Sequence, residues 1–407
     1  NTGVFAIGQD LSDLVVNDLT VNGELQALGT IKLDGNYPTG TDNVALGDTA
    51  LDSVTSGACN TAVGNEALTS ITTGIKATAV GACALNNNTA DDVVGVGESS
   101  LFNNTSGCRN VGLGRLTLYS NTTGCYNTAL GQASLYLNTT ANNNVAVGYI
   151  SLFSNTTGST NTAVGTCSIY SNTTGESNTA VGYQSLFANT TALSNTAVGF
   201  CSLQANTTGS QNTAVGGNAI KLNTSGIYNT AVGQNALDAN TTASCNTAMG
   251  RVSLSSNTTG ANNTGYGYCT LYSNTTGEKL VAIGALALDA NTTADENTAV
   301  GYCSLSTNTT GCRNVAVGCG SLKTNLTGDR NTAVGHIALE ANTSADNNTA
   351  VGYAALNVNT TGTQNVAVGS NSLDANVSGN YNVAIGHDTL TKNTASENTG
   401  VGFNSLK

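Results

Sequence analysis

The sequence predicts an all-β chain folded as a β-solenoid, a parallel β-roll or β-helix of 17-residue rungs. Three observations predict it. First, a unit of consensus Asn-Thr-Ala-Val-Gly-x-x-Ser-Leu-x-x-Asn-Thr-Thr-Gly-x-x repeats from Asn43 to the end of the 407-residue chain. Its opening half occurs 22 times; 19 of the 21 steps are 17 residues long and two are 16. A short fixed period marks an architecture in which each unit buries its apolar side only by stacking on its neighbours. Second, aliphatic residues stand at fixed positions of the unit, with β-branched Thr and Val two apart as in a strand. Third, charged residues are 9% of the chain, against roughly 25% in ordinary soluble proteins. The single proline and the regular Val and Leu argue against disorder.

Residues 1–42 read as a separate β segment, a shaft or cap. Leu19-Thr20-Val21-Asn22-Gly23-Glu24-Leu25 has the strand, Asn-Gly turn, strand pattern of a hairpin. Leu28–Gly35 alternates again, and Pro38 marks the junction with the repeats. Phe5-Ala6-Ile7-Gly8 echoes the repeat motif. The repeats then fill 43–407. With no initiator methionine and no signal-peptide pattern at Asn1, the chain reads as a processed or partial product.

Within the unit the second and fourth positions share one face of a strand. The fourth is Val, Leu, Ile or Met in 21 copies and Tyr266 in one. The second is mostly Thr, exchanged for Val in eight copies, Val44, Val145, Val315, Val366 and Val383 among them. The ninth is Leu or Ile throughout, from Leu51 to Leu406. The expected core is therefore the fourth and ninth residues, with the second contributing. Glycine fills the fifth position in all 22 copies, which implies a corner with φ > 0 or a close backbone approach. The third position is small throughout (Ala, or Gly95, Gly112, Gly265 and Gly400) and is expected to let neighbouring chains approach closely. An Asn-Thr-Thr-Gly turn closes the rung.

The net charge of −12 leaves no basic stripe for nucleic acid. No run approaches the roughly 18 apolar residues of a membrane span. No hydrolase elbow, zinc-protease or phosphate-loop motif appears, so neither an enzyme nor a cofactor is expected. His336 and His387 share one position three rungs apart, roughly 14 Å by rung spacing, too far to share a metal.

The eleven cysteines form no CxxC pair. Cys108 and Cys125 fall on consecutive rungs, within disulfide range at a spacing of about 4.8 Å. Cys59 with Cys83 and Cys245 with Cys269 share a 24-residue spacing and form a second kind of candidate pair. The alternative is that Cys serves as a small apolar filler.

The twelfth position carries consecutive Asn-x-Ser/Thr copies: Asn104, Asn121, Asn138, Asn155, Asn172, Asn189, Asn206, Asn223, Asn240, Asn257, Asn274, Asn291, Asn308, Asn325, Asn342, Asn359 and Asn376. Two readings stand, a buried ladder of stacked amides or a row of glycosylation acceptors. Aromatics recur at the sixth position (Tyr149, Tyr183, Phe200, Tyr268, Tyr302, Tyr353, Phe403) and at the tenth (Tyr119, Tyr136, Phe153, Tyr170, Phe187, Tyr272). They suit either packing between chains or stacking on sugars. Thr at the thirteenth and fourteenth positions raises a water-ordering face, against which the variable neighbours argue.

Asn-Val-Ala-Val-Gly and Asn-Val-Ala-Ile-Gly resemble the head repeats of trimeric autotransporter adhesins, whose unit of about fourteen residues is shorter. The longer unit, as in 178–191, is similar to repeats in tail-fibre structural proteins of marine phages, cyanophages among them, and Leu-Thr-Val-Asn-Gly-Glu-Leu resembles their shaft motif. The resemblance implies a homotrimeric fibre at a virion surface or outside the cell, with itself as first partner and a host-surface receptor or glycan as second. The alternative is a cell-surface adhesin or a self-assembling secreted filament.

Overall fold

The structure is a computed structural model that describes residues 41–406. The shaft and hairpin expected in residues 1–42 fall almost wholly outside the described residues. From Asn43 onward the chain is a parallel β-solenoid. Twenty-two strands of three residues each run from β1 (Val44–Leu46) to β22 (Thr399–Val401). Each strand pairs in parallel with the next in chain order, second position on second and fourth on fourth. No helix occurs among the described residues. At about 4.8 Å per rung the stack is on the order of 100 Å long.

The two 16-residue steps keep this register, with Thr78 beside Val94 and Val383 beside Thr399. The first is absorbed after Asn88 and Thr89, where one turn residue is missing and Ala90 follows directly. A missing turn residue therefore leaves every side chain on its proper side of the wall.

The core differs from the expectation. The third-position residue points inward and the second and fourth point out. Ala62, Ala180, Ala197 and Ala214 are fully buried, whereas Val181 is 36% and Leu130 46% exposed. The period of two was right, and the choice of which face is inside was inverted. The ninth-position residues are buried from Leu51 to Leu390, as expected. Small residues at the third position therefore do not serve contact between chains. They make room inside the rung for the ninth-position leucine and the eighth-position Ser, Ala or Thr. Gly112 and Gly265 share their rungs with the larger eighth-position residues Thr117 and Thr270, although Thr389 is accommodated beside Ala384. A Cβ on those glycines would lie 2.8 and 3.0 Å from the threonine hydroxyls.

The fifth-position glycines satisfy both conditions read from the sequence. Their φ lies between 116 and 144°. At Gly199 an added Cβ would stand 2.5 Å from the carbonyl oxygen of Gly216 on the next rung. The chain also turns at non-glycine residues with φ near 50–60°, at the seventh, ninth and seventeenth positions, as at Gln184, Leu186 and Ser194. A left-handed conformation costs an ordinary residue roughly 1–2 kcal/mol. Burial of the ninth-position leucine, worth about 1.5–3 kcal/mol, offsets it there.

Candidate self-association face and internal side-chain ladders

Because the third residue points inward, the outer wall of the sheet is made of the second- and fourth-position columns. Neither column contains a charged residue on any of the 22 rungs. The fourth-position side chains are partly exposed over the whole length, at 49% for Leu46 and 39–46% for Leu113, Leu130, Ile283 and Ile385. Beyond the glycine corner runs the sixth-position column. Tyr149, Tyr183, Phe200, Tyr268, Tyr302 and Tyr353 all stand exposed there, at 46–57%. The wall is interrupted at Met249 and Tyr266, which with Arg251 and Tyr268 line a shallow open groove floored by Gly250 and Gly267. The Arg251 guanidinium lies over the Tyr268 ring at 5.9 Å.

Opposite the wall, the twelfth-position asparagines form the expected ladder. All seventeen from Asn104 to Asn376 are fully buried. Each Nδ2 donates to the Oδ1 of the asparagine one rung earlier, as from Asn121 to Asn104 at 2.6 Å and from Asn376 to Asn359 at 3.2 Å. The same nitrogen donates to the carbonyl three residues ahead, as from Asn206 to Gly209 at 2.8 Å. A nitrogen buried with two acceptors has no room for a glycan in the folded rung, which sets aside the acceptor reading of these sites.

A second amide ladder was not anticipated. The first-position asparagines are also buried from Asn110 to Asn382, with Leu280 replacing one. Each Oδ1 accepts the backbone N–H of the first residue of the next rung, as from Asn212 to Asn195 at 2.9 Å. From Asn110 to Asn365 the Nδ2 reaches across to the fifteenth-position carbonyl of its own rung, as from Asn195 to Gly209 at 2.9 Å. That carbonyl thus receives both asparagines and ties the two ends of the rung together. The signal was present in the repeat: the opening Asn is as regular as the twelfth, and a buried polar group must find partners.

The sixteenth position forms a third ladder, whose rule explains its mixed composition. A side-chain oxygen or sulfur accepts the backbone N–H of the sixteenth residue one rung earlier. Examples are Asp91 for Ile75, Asn142 for Cys125, Ser159 for Asn142 and Asp346 for Asp329. Cys125 and Cys312 occupy the same acceptor place for Cys108 and Asp295. Cys108 and Cys125 meet, as the sequence led one to expect, with free thiols. The pairings of Cys59 with Cys83 and of Cys245 with Cys269 do not form. Cys59 and Cys245 stand in the seventeenth-position column, Cys83 and Cys269 in the seventh, and all four are free thiols. A 24-residue spacing is one rung plus seven residues, which moves the chain around the solenoid into a different column.

At the tenth position six rings from consecutive rungs, Phe102, Tyr119, Tyr136, Phe153, Tyr170 and Phe187, stack face to face with centroids 5.1–5.4 Å apart. Their faces are taken by one another and only edges meet solvent, so this row is a local zipper and offers no ring face to a sugar. His336 and His387 stack singly on Tyr353 and Phe403.

Further along the tenth-position column Asp238 and Asp289 each keep one carboxylate oxygen buried without a hydrogen-bond partner. Burial raises both above the usual carboxylate range. A raised folded-state pKa means that the fold holds protons the unfolded chain releases, so this contribution to stability is lost as pH rises through it. Replacing both with Asn is expected to raise the melting temperature at pH 7 by roughly 1–3 °C and to have little effect near pH 3. Equal effects at the two pH values would contradict the assignment.

No known protein family matches this chain, and no curated protein matches it.

Proposed function

We propose that this chain is the rod of an extracellular or virion-surface fibre, a structural component that provides reach and displays adhesive or receptor-binding surfaces. It works as a homotrimer whose copies pack along the second- and fourth-position wall. The observation that carries the reading is the outward column of Val, Leu and Ile, uncharged on every rung. A continuous, partly exposed apolar strip of this length marks an interaction surface. With rungs about 4.8 Å apart and strands of three residues, the strip covers on the order of 1,000 Å² per chain, above the roughly 800 Å² per partner of a standard interface. A row spaced at one rung matches another row of the same spacing, which makes a copy of the chain the fitting partner. The narrow strand suits packing about a threefold axis. The exposed sixth-position aromatics then lie at the rim of the packed wall, where adhesion to a host receptor or glycan would act.

Light scattering on the purified chain is expected to give a mass about three times 40.8 kDa. Substituting Val181, Val198 and Val215 together by Asp is expected to yield monomers with an unchanged circular dichroism spectrum, because these side chains point away from the core. A wild-type monomer at micromolar concentration overturns the reading.

A further inference from the structure

We propose that Cys108 and Cys125 form a reversible axial disulfide by exchange with a low-molecular-weight disulfide such as oxidised glutathione. The two are consecutive members of the sixteenth-position column, and their Sγ atoms lie 3.0 Å apart. No other two of the eleven cysteines stand on consecutive rungs of one column. Cys312 has Asp295 and Asp329 as column neighbours, and the seventh-position cysteines are at least two rungs apart. Adjacent rungs are spaced by about 4.8 Å, inside the roughly 4.4–6.8 Å that a disulfide requires between Cα atoms. Both residues are partly exposed, so a small reagent can reach them.

The hydrogen bonds order the exchange. The Cys108 thiol donates to the Cys125 sulfur, and the Cys108 backbone N–H points at the same sulfur from 3.1 Å. The hydrogen bond to Cys125, and burial after it, raise the Cys108 pKa, so that thiol keeps its proton. Cys125, whose sulfur accepts both hydrogen bonds, therefore attacks first. Its sulfur bonds to one sulfur of oxidised glutathione, the glutathione S–S bond breaks, and one glutathione leaves as a thiolate. Cys108 then gives up its proton to solvent and attacks the Cys125 sulfur, and the second glutathione leaves. Two protein thiols and one glutathione disulfide become one protein disulfide and two glutathione thiols, with two electrons passing from protein to glutathione.

The bond closes one complete rung, including β5 (Val111–Leu113). Each rung of a solenoid couples only to its neighbours, so a covalent tie here holds two consecutive rungs together when their interface opens. This inference does not depend on how the chains associate.

The 407-residue chain, incubated with oxidised glutathione, is expected to fall from eleven titratable thiols to nine. Trypsin should release peptides 77–109 and 116–221 joined, and they should separate on reduction. Cleavage after Arg109 and Arg115, both inside the closed rung, should slow several-fold on oxidation. The Cys125→Ser variant should fold, since Ser159 and Ser210 fill the same acceptor place, and should yield no joined peptides. Thiol loss spread over all eleven cysteines, or a glutathione adduct on Cys125 that never closes, would overturn the proposal.

Discussion

Gly199→Val is expected to cost more than about 4 kcal/mol and to divide the solenoid at that rung. The new Cβ would lie 2.5 Å from the Gly216 carbonyl oxygen and 2.6 Å from its carbon, at φ +134°. The backbone of the next rung is itself fixed by hydrogen bonds on both sides, so neither partner can yield. Coupling in a solenoid passes only between neighbours. The variant should therefore unfold in two transitions in denaturant, with new proteolysis near residue 199. Two controls separate sterics from composition. Gly217→Ala meets nothing within 4 Å and should be neutral. Gly320→Ala, at φ +67° with only an Ile337 methyl 3.3 Å away, should show chiefly conformational strain. A single unshifted transition in Gly199→Val would remove the corner from the account of the fold.

The second large effect is expected at Asn206. Its Nδ2 donates to Asn189 at 3.1 Å and to Gly209 at 2.8 Å, and its Oδ1 accepts from Asn223 at 2.7 Å. Asn206→Ala leaves the Asn189 oxygen without its donor and is expected to cost roughly 1–3 kcal/mol. Asn206→Asp should cost more, about 3–5 kcal/mol at neutral pH. It sets a buried anion against two acceptors where a donor had been. Burial would raise the pKa of that Asp, so the variant should regain stability as pH falls and the carboxyl becomes a donor. Denaturation midpoints at neutral and acid pH test both the ranking and the pH response. Equal midpoints for Ala and Asp would mean that the ladder is not held by directed hydrogen bonds.

Much of the fold was legible in the repeat because stacking makes each position a column. The glycine column, the ninth-position leucines and the twelfth-position asparagines each have one chemical requirement met 20 times or so over, and a requirement repeated in that way shows in the sequence. The orientation of the wall was not legible. Thr-Ala-Val alternates whichever way it faces, and the ordinary preference for burying Val over Ala points the wrong way. The interior beside the eighth- and ninth-position side chains is too narrow for Val, so Ala197 goes inside and Val198 outside. The sixteenth-position ladder was illegible for another reason. Asp, Asn, Ser and Cys look unrelated until the backbone N–H that they all accept is seen.

The sequence by itself determined that this protein is a parallel β-solenoid of 17-residue rungs, since the period, the corner glycines and the strand-forming residues allow little else. Tertiary structure alone decided which residues are core and which are surface. That choice depends on the cross-section of the closed rung, a volume set jointly by residues far apart in each unit. It moved the valines outward, creating the uncharged wall on which the proposed assembly rests. It also brought one pair of cysteines into contact and kept the others apart.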